Sequence, residues 1–174
     1  IGERDAAMVA IAISTGLRGC ELVDLDVGDV DLVRGRVYVR RLKGGRSHQT
    51  WLHETVIPLV EAWLNVRGRG AGPLFSSRAG TRLTTQSLQH RLSVLCSRSG
   101  VERATLHDLR RSCITKLLRS GVDPFVVARL VGHQKVTTTL RYDRRTELED
   151  RAAMQALDFG DLGKYRRSPW GTGS

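Results

Sequence analysis

Apolar residues cover nearly every side of the segment Asp5 to Ser14, where Ala6, Met8, Val9, Ile11 and Ile13 predict a buried helix ending at Thr15-Gly16. A second short helix is expected from Arg18 to Leu25. The period then drops to two. Val37 and Val39 alternate with Arg36, Tyr38 and Arg40, and Thr50 to His53 repeats the alternation after Lys43-Gly44-Gly45-Arg46. This predicts a small hairpin sheet with a glycine turn. Val56 to Arg67 returns to helix, and residues 68–73 and 76–80 read as loops. Thr85 is the expected cap of a helix carrying Leu88, Leu92 and Leu95 on one face. Thr105-Leu106-His107-Asp108 fits a capping box opening the next helix, with Leu106, Leu109, Cys113, Leu117 and Leu118 as its stripe and Gly121 as its stop. Asp123-Pro124 pairs an N-cap with proline at the first helical position, for a helix that runs to Val131 and stops at Gly132. A polar Thr137-Thr138-Thr139 segment leads to Tyr142, and Glu147 to Leu157 is the last helix. The fold class is α+β, mainly α, with one three-stranded antiparallel sheet.

The 174 residues, 40 % of them hydrophobic, suit one domain of ordinary size with its own core. No apolar run reaches the roughly 18 residues of a membrane span, and no secretory pattern opens the chain, so the reading is a soluble, cytoplasmic protein. Cys20, Cys96 and Cys113 are odd in number and form no C-x-x-C pair, which argues against a disulfide framework and a zinc knuckle.

Charge changes the picture, because the net +10 is unevenly spread: −4 over residues 1–30, +15 over 31–146 and −1 over 147–174. A cationic middle between acidic ends points to a polyanion, and nucleic acid is the expected partner. No basic amphipathic helix carries aromatics on its apolar face, so a membrane surface is disfavoured. Codon bias is the bland source of the same charge, since 24 residues are Arg and only 4 are Lys.

Five features stand out against that background. Arg18 is the only basic residue between Asp5 and Asp31, and its plain role is an ion pair with Glu21 three residues on. Lys43 is the only lysine in the first 115 residues. Unlike arginine, lysine can give up a proton, which suits a general acid rather than a phosphate clamp. His107 and Arg110 share a helix face, an arrangement also common on surfaces. His133 directly follows a helix-ending glycine, where it serves equally well as a C-cap partner or loop filler, and Tyr142, one of three tyrosines, suits core or surface.

Taken together, Thr15-Gly16-Leu17-Arg18-Gly19-Cys20-Glu21-Leu22, the hairpin lysine, His107-Asp108-Leu109-Arg110-Arg111, Leu130-Val131-Gly132-His133 and Tyr142 nine residues later resemble the tyrosine recombinase (phage integrase) family over residues 3–157. The resemblance implies a catalytic domain in which Tyr142 attacks a phosphodiester of double-stranded DNA to form a 3′-phosphotyrosyl link, with neither metal nor other cofactor. By position, Arg18 and Arg110 match the phosphate clamps, His107 the proton acceptor, His133 the hydrogen-bond donor to the phosphate, Lys43 the general acid and Glu21 a supporting carboxylate. Arg41, Arg46, Arg111, Lys135 and Arg141 are the cationic neighbours expected to meet DNA. Ser47 to His53 departs from the family's usual Arg-x-Val-Pro-Leu run, so the Lys43 match rests on that lysine and its glycines.

The implied organisation is a catalytic core over residues 1–146, a C-terminal helix over 147–160 that docks onto a neighbouring protomer in a DNA-bound tetramer, and a flexible tail over 161–174. The family's N-terminal core-binding domain is expected to be missing, as in a truncated or split protein. Three rivals compete. A metal-dependent nuclease would use Asp24, Asp26, Asp29 and Asp31, although position 35 is Gly where a calcium loop needs Glu. A non-catalytic DNA-binding module would have no use for Tyr142. A type IB topoisomerase shares the chemistry, but the Gly-His-to-Tyr spacing and the trailing helix favour a recombinase.

Overall fold

The structure is a computed structural model describing residues 2–40, 47–77, 79–143 and 156. The chain divides into two units, residues 1–143 and 144–174, and every element below lies in the first. The hairpin tip with Arg41, Lys43 and Arg46, and the expected helix Glu147 to Leu157, lie outside the described residues.

Among the described residues, seven helices accompany one small sheet: α1 Glu3–Thr15, α2 Gly19–Asp24, α3 Ile57–Arg67, α4 Thr85–Arg98, α5 Leu106–Arg119, α6 Pro124–Leu130 and α7 Val136–Leu140, with β1 Val30–Asp31, β2 Arg36–Val39 and β3 His48–Trp51. The mainly helical α+β class is as expected. The strands run antiparallel in the order β1-β2-β3, with Val37 opposite Thr50 and Val39 opposite His48. That register sends Val37, Val39 and Thr50 inward and leaves Tyr38 and Trp51 exposed.

Three local expectations are corrected. The second hairpin strand is His48–Trp51 rather than Thr50 to His53: Leu52 adds one last in-register bond, its N–H donating to the Gly35 carbonyl, and Gly35, in the left-handed region at φ 63°, turns the partner strand away. The cap of α4 is Thr84, whose side chain accepts from the Ser87 N–H, while Thr85 is the first helical residue. The Thr137–Thr139 segment forms the one-turn helix α7, with Thr139 fully buried.

The all-round apolar α1 sits at the centre as its pattern predicts, packed on α3 and α5. Ala7, Met8, Ile11 and Ala12 join Leu22, Val37, Val60, Phe75 and Leu88 in the main core. A second cluster of Ile114, Leu118, Val127 and Val131 joins α5 to α6, and the Tyr142 ring packs against it. Polar pins hold the helices around α1. The buried Asp5 carboxylate receives the Arg91 guanidinium from α4, with Arg91 Nε at 2.7 Å, and Arg4 flanks it. Thr105 caps α5 by accepting the Asp108 N–H, and the Asp108 carboxylate accepts the Thr105 hydroxyl, a capping box that lowers the Asp108 pKa. Among the described residues, no helix is long and apolar enough to cross a membrane.

Asp5→Ala removes the acceptor that ties α1 to α4. It is expected to lower unfolding stability by about 2 kcal/mol, the worth of hydrogen bonds to a charged group, read from the urea midpoint. An unchanged midpoint would mean that the pin is idle.

Candidate active site

The site is assembled where α1 ends, α2 begins, and α5, the turn after α6 and α7 converge. Gly16 ends α1 in the left-handed region at φ 63°, and a Cβ there would lie 3.2 Å from Val131 Cγ1 and 3.3 Å from Cys113 Sγ. Glycine thus lets the end of α1 press against α5 and α6. The Gly16 carbonyl accepts Nη1 of Arg110, and the Val131 carbonyl accepts Nη2 at 2.8 Å. Arg110 is only 4 % exposed, so its guanidinium is a structural pin as well as a charge. Burial, and after it the like charge of Arg18, lower its pKa to about 10, which leaves it protonated at neutral pH.

Arg18 precedes α2, and its backbone N–H donates to Glu21 Oε2 at 2.7 Å. Its Nη1 reaches Glu21 Oε1 at 2.8 Å and the Gly132 carbonyl at 3.2 Å. The expected Arg18–Glu21 pair is therefore present, but it is no isolated surface pair. Glu21 is buried and its Oε2 also lies 3.8 Å from Arg110 Nη1. One carboxylate orients two guanidiniums, which leaves an excess positive charge between them.

His133 follows Gly132, whose own φ is 65° and where a Cβ would stand 2.5 Å from His48 Cε1 on β3. Its Nδ1 lies 2.8 Å from Thr139 Oγ1, and its ring stacks on Tyr142 with centroids 6.3 Å apart and 19° between planes. Burial first, then Arg110 and Arg18, lower the His133 pKa to about 4, so the ring is neutral at pH 7. Tyr142 is anchored through its N–H to the Thr139 carbonyl at 2.9 Å.

Arg18, His107, Arg110, His133 and Tyr142 all line one open groove of about 840 Å³. These are five of the six expected catalytic positions; Lys43 falls outside the described residues. Glu21 sits behind the two arginines. Arg111, Lys135 and Arg141 are exposed but do not line the groove, whereas Arg103 does.

The opposite wall was missed in the sequence. Gln86, Gln89, His90 and Ser93 face the groove from α4 at three- and four-residue spacing, on the side away from Leu88, Leu92 and Leu95. That polar periodicity was readable, but it carried no chemistry of its own. Gln89 also braces the start of α5, donating to the Ala104 carbonyl at 3.2 Å and accepting the Leu106 N–H at 3.0 Å. The four aspartates of the rival metal reading pair with arginines instead: Asp26 with Arg40 and Arg82, Asp29 with Arg40, and Asp31 with Arg34. Asp24 lies 4.0 Å from Arg40.

The model of the phage integrase family matches residues 1–149. Tyrosine recombinase XerC of Pseudomonas aeruginosa is 36 % identical over 169 residues, covering 92 % of this chain and 55 % of that protein. The crystal structure of XerA recombinase superposes with a TM-score of 0.78 at 26 % identity, over 90 % of this chain and 60 % of that one. XerH site-specific recombinase bound to its difH substrate shares the fold, with a TM-score of 0.73 at 24 % identity over 90 % of this chain and 48 % of that one. This chain belongs to the phage integrase family. It spans about half the length of the curated relatives it matches.

His133 carries a pH signature. Its folded pKa lies below the ordinary 6.5, so between about 6.5 and about 4 the unfolded chain binds a proton that the folded chain does not. Its contribution to stability is complete above that window and is lost as pH falls through it. Urea midpoints at pH 7.5 and pH 5 should therefore differ less in His133→Gln than in the parent chain. An equal loss in both would show that the ring is not held neutral.

Proposed function

We propose that this chain is the catalytic domain of a site-specific DNA recombinase that cleaves and rejoins strands through a 3′-phosphotyrosyl intermediate. The observation that carries the reading is the convergence of Arg18, His107, Arg110, His133 and Tyr142 on one groove from four separate parts of the fold. Family membership supports it, as does the XerH relative solved with its substrate on the same fold.

In this reading the scissile phosphate enters between Arg18 and Arg110. Their guanidinium N–H groups meet the two non-bridging oxygens, where negative charge grows as the phosphorus becomes five-coordinate. The Tyr142 phenol loses its proton as its oxygen attacks phosphorus, and the bond to the 5′-oxygen breaks. His107 stands in the groove as the proton acceptor, and His133 hydrogen-bonds a non-bridging oxygen. The leaving 5′-oxygen takes a proton from Lys43. A 5′-hydroxyl then attacks the phosphotyrosine, restores the phosphodiester and frees Tyr142. One phosphoester is exchanged for another, so the cycle needs neither ATP nor a metal ion.

Two experiments test this. On a nicked suicide substrate, the parent chain should form a covalent DNA adduct that persists in EDTA, while Tyr142→Phe forms none and binds DNA with affinity within about twofold, since binding is dominated by phosphate electrostatics. An adduct in Tyr142→Phe would overturn the nucleophile, and loss in EDTA would restore the metal reading. For Lys43→Ala, cleavage of a normal phosphodiester should fall by about 100-fold or more. A substrate whose leaving 5′-oxygen is replaced by sulfur should be cut at close to the parent rate, because a thiolate leaves without a proton. Equal losses on both would reduce Lys43 to a phosphate contact.

A further inference from the structure

Among the described residues, Thr139 is a polar residue with no exposure beside the groove, and the mechanism above gives it no task. It lies on α7, three residues before Tyr142, with its hydroxyl 2.8 Å from His133 Nδ1. A neutral imidazole has one N–H and one bare nitrogen, so this contact has two possible directions. Either Nδ1–H donates to the hydroxyl oxygen, leaving Nε2 bare, or the hydroxyl donates to a bare Nδ1, leaving the proton on Nε2.

Satisfaction of the buried hydroxyl decides between them. A threonine in a helix commonly donates to the carbonyl four residues back, as Thr15 does to Ile11 at 2.6 Å. Thr139 makes no such bond to Lys135, and among the described residues His133 Nδ1 is the only side-chain partner of its hydroxyl. If Nδ1 carried the proton, the hydroxyl hydrogen would be buried with nothing to receive it, the costly case for a buried polar group. If the hydroxyl donates, its hydrogen is satisfied and so is Nδ1.

We infer that Thr139 is a positioning residue that fixes His133 as the Nε2–H tautomer, so that the ring presents a hydrogen-bond donor to the phosphate oxygen. This rests on the reading of His133 as the phosphate donor. The opposite tautomer would turn a lone pair toward an anion. The same residue also holds the nucleophile's backbone, since the Tyr142 N–H donates to the Thr139 carbonyl. The side chain of Thr139 thus sets what His133 offers, while its main chain sets where Tyr142 begins. His133 being neutral is what makes the choice of tautomer matter, because a doubly protonated ring would donate from both nitrogens.

The test reads the tautomer directly, by long-range 1H–15N correlation on the chain labelled with 15N-histidine, with His133 assigned by the signal lost in His133→Gln. At pH 7 the parent chain and Thr139→Ser should show the Nε2–H form. Thr139→Val, which keeps the shape and removes the hydroxyl, should shift His133 toward Nδ1–H. At saturating DNA its cleavage rate should fall about tenfold or more, short of the roughly 100-fold loss of a whole oxyanion donor, with DNA affinity unchanged. Thr139→Ser should stay within about threefold of the parent rate, as the hydroxyl is what matters. Should Thr139→Val fail to fold, Thr139→Ala carries the same arm. An Nδ1–H ring in the parent chain overturns the inference by itself, and so does a hydroxyl-free variant whose tautomer and rate are unchanged. A parent chain that shows the expected tautomer but forms no covalent adduct would defeat the recombinase reading while leaving the Thr139–His133 arrangement in place.

Discussion

The buried guanidinium of Arg110 is the contact on which the rest of the site depends. Its two donated hydrogen bonds join the last residue before Leu17 to the last residue before Gly132, so the end of α1 and the end of α6 are fixed to α5 through one side chain. Arg18 follows the first of those carbonyls by two residues and His133 follows the second by two. Their positions are therefore inherited from Arg110 rather than set independently. A buried cation is costly unless its donors are satisfied. Two backbone carbonyls and the nearby Glu21 carboxylate do so here, and Arg110 still lines the groove. The same group is thus a rivet in the free protein and a phosphate clamp in the proposed reaction.

Around that rivet the electrostatics are self-consistent. Arg18 and Arg110 share a single carboxylate, so the floor of the groove keeps a positive excess that a phosphate can neutralise. That excess, added to burial, keeps His133 from taking a proton. A neutral ring can donate without adding a third cation to the free site, and its stacking on Tyr142 sets it beside the phenol proposed to attack. Cys113, pushed up to about 11 by burial, stays a thiol and acts as packing beneath Gly16.

Much of this was legible in the sequence, for identifiable reasons. The long helices announced themselves because apolar stripes of three- and four-residue spacing must bury a face, and the caps at Thr105 and Asp123 fell where a short polar side chain meets an orphan N–H. The mainly helical fold and the family followed from motifs whose order and spacing were specific. What escaped was set by tertiary contact. α7 is too short and too polar to show a stripe, and it exists because Thr139 is held by His133 while the Tyr142 N–H closes on its carbonyl. Thr84 displaced Thr85 as a cap because two adjacent threonines offer the same chemistry and only the backbone angle chooses. The role of Gln89 depends on Ala104 and Leu106, fifteen and seventeen residues away, and no local pattern announces such a bond.

Charge, too, reads differently once its partners are known. The cationic stretch from residue 31 to 146 is not uniformly available to DNA. Arg40 and Arg82 hold the acidic turn before the sheet, Arg91 is bound to the buried Asp5, and Arg67 donates to the Pro73, Gly68 and Gly70 carbonyls. These arginines neutralise internal acids or cap backbone, and codon preference for arginine is a sufficient source for them. The groove behaves oppositely. Arg18 stands in a segment of net negative charge, and among the described residues Glu21 alone answers two guanidiniums there. A phosphate-seeking field therefore comes less from the total of +10 than from a local shortage of carboxylates, and that shortage coincides with the residues assigned to the chemistry.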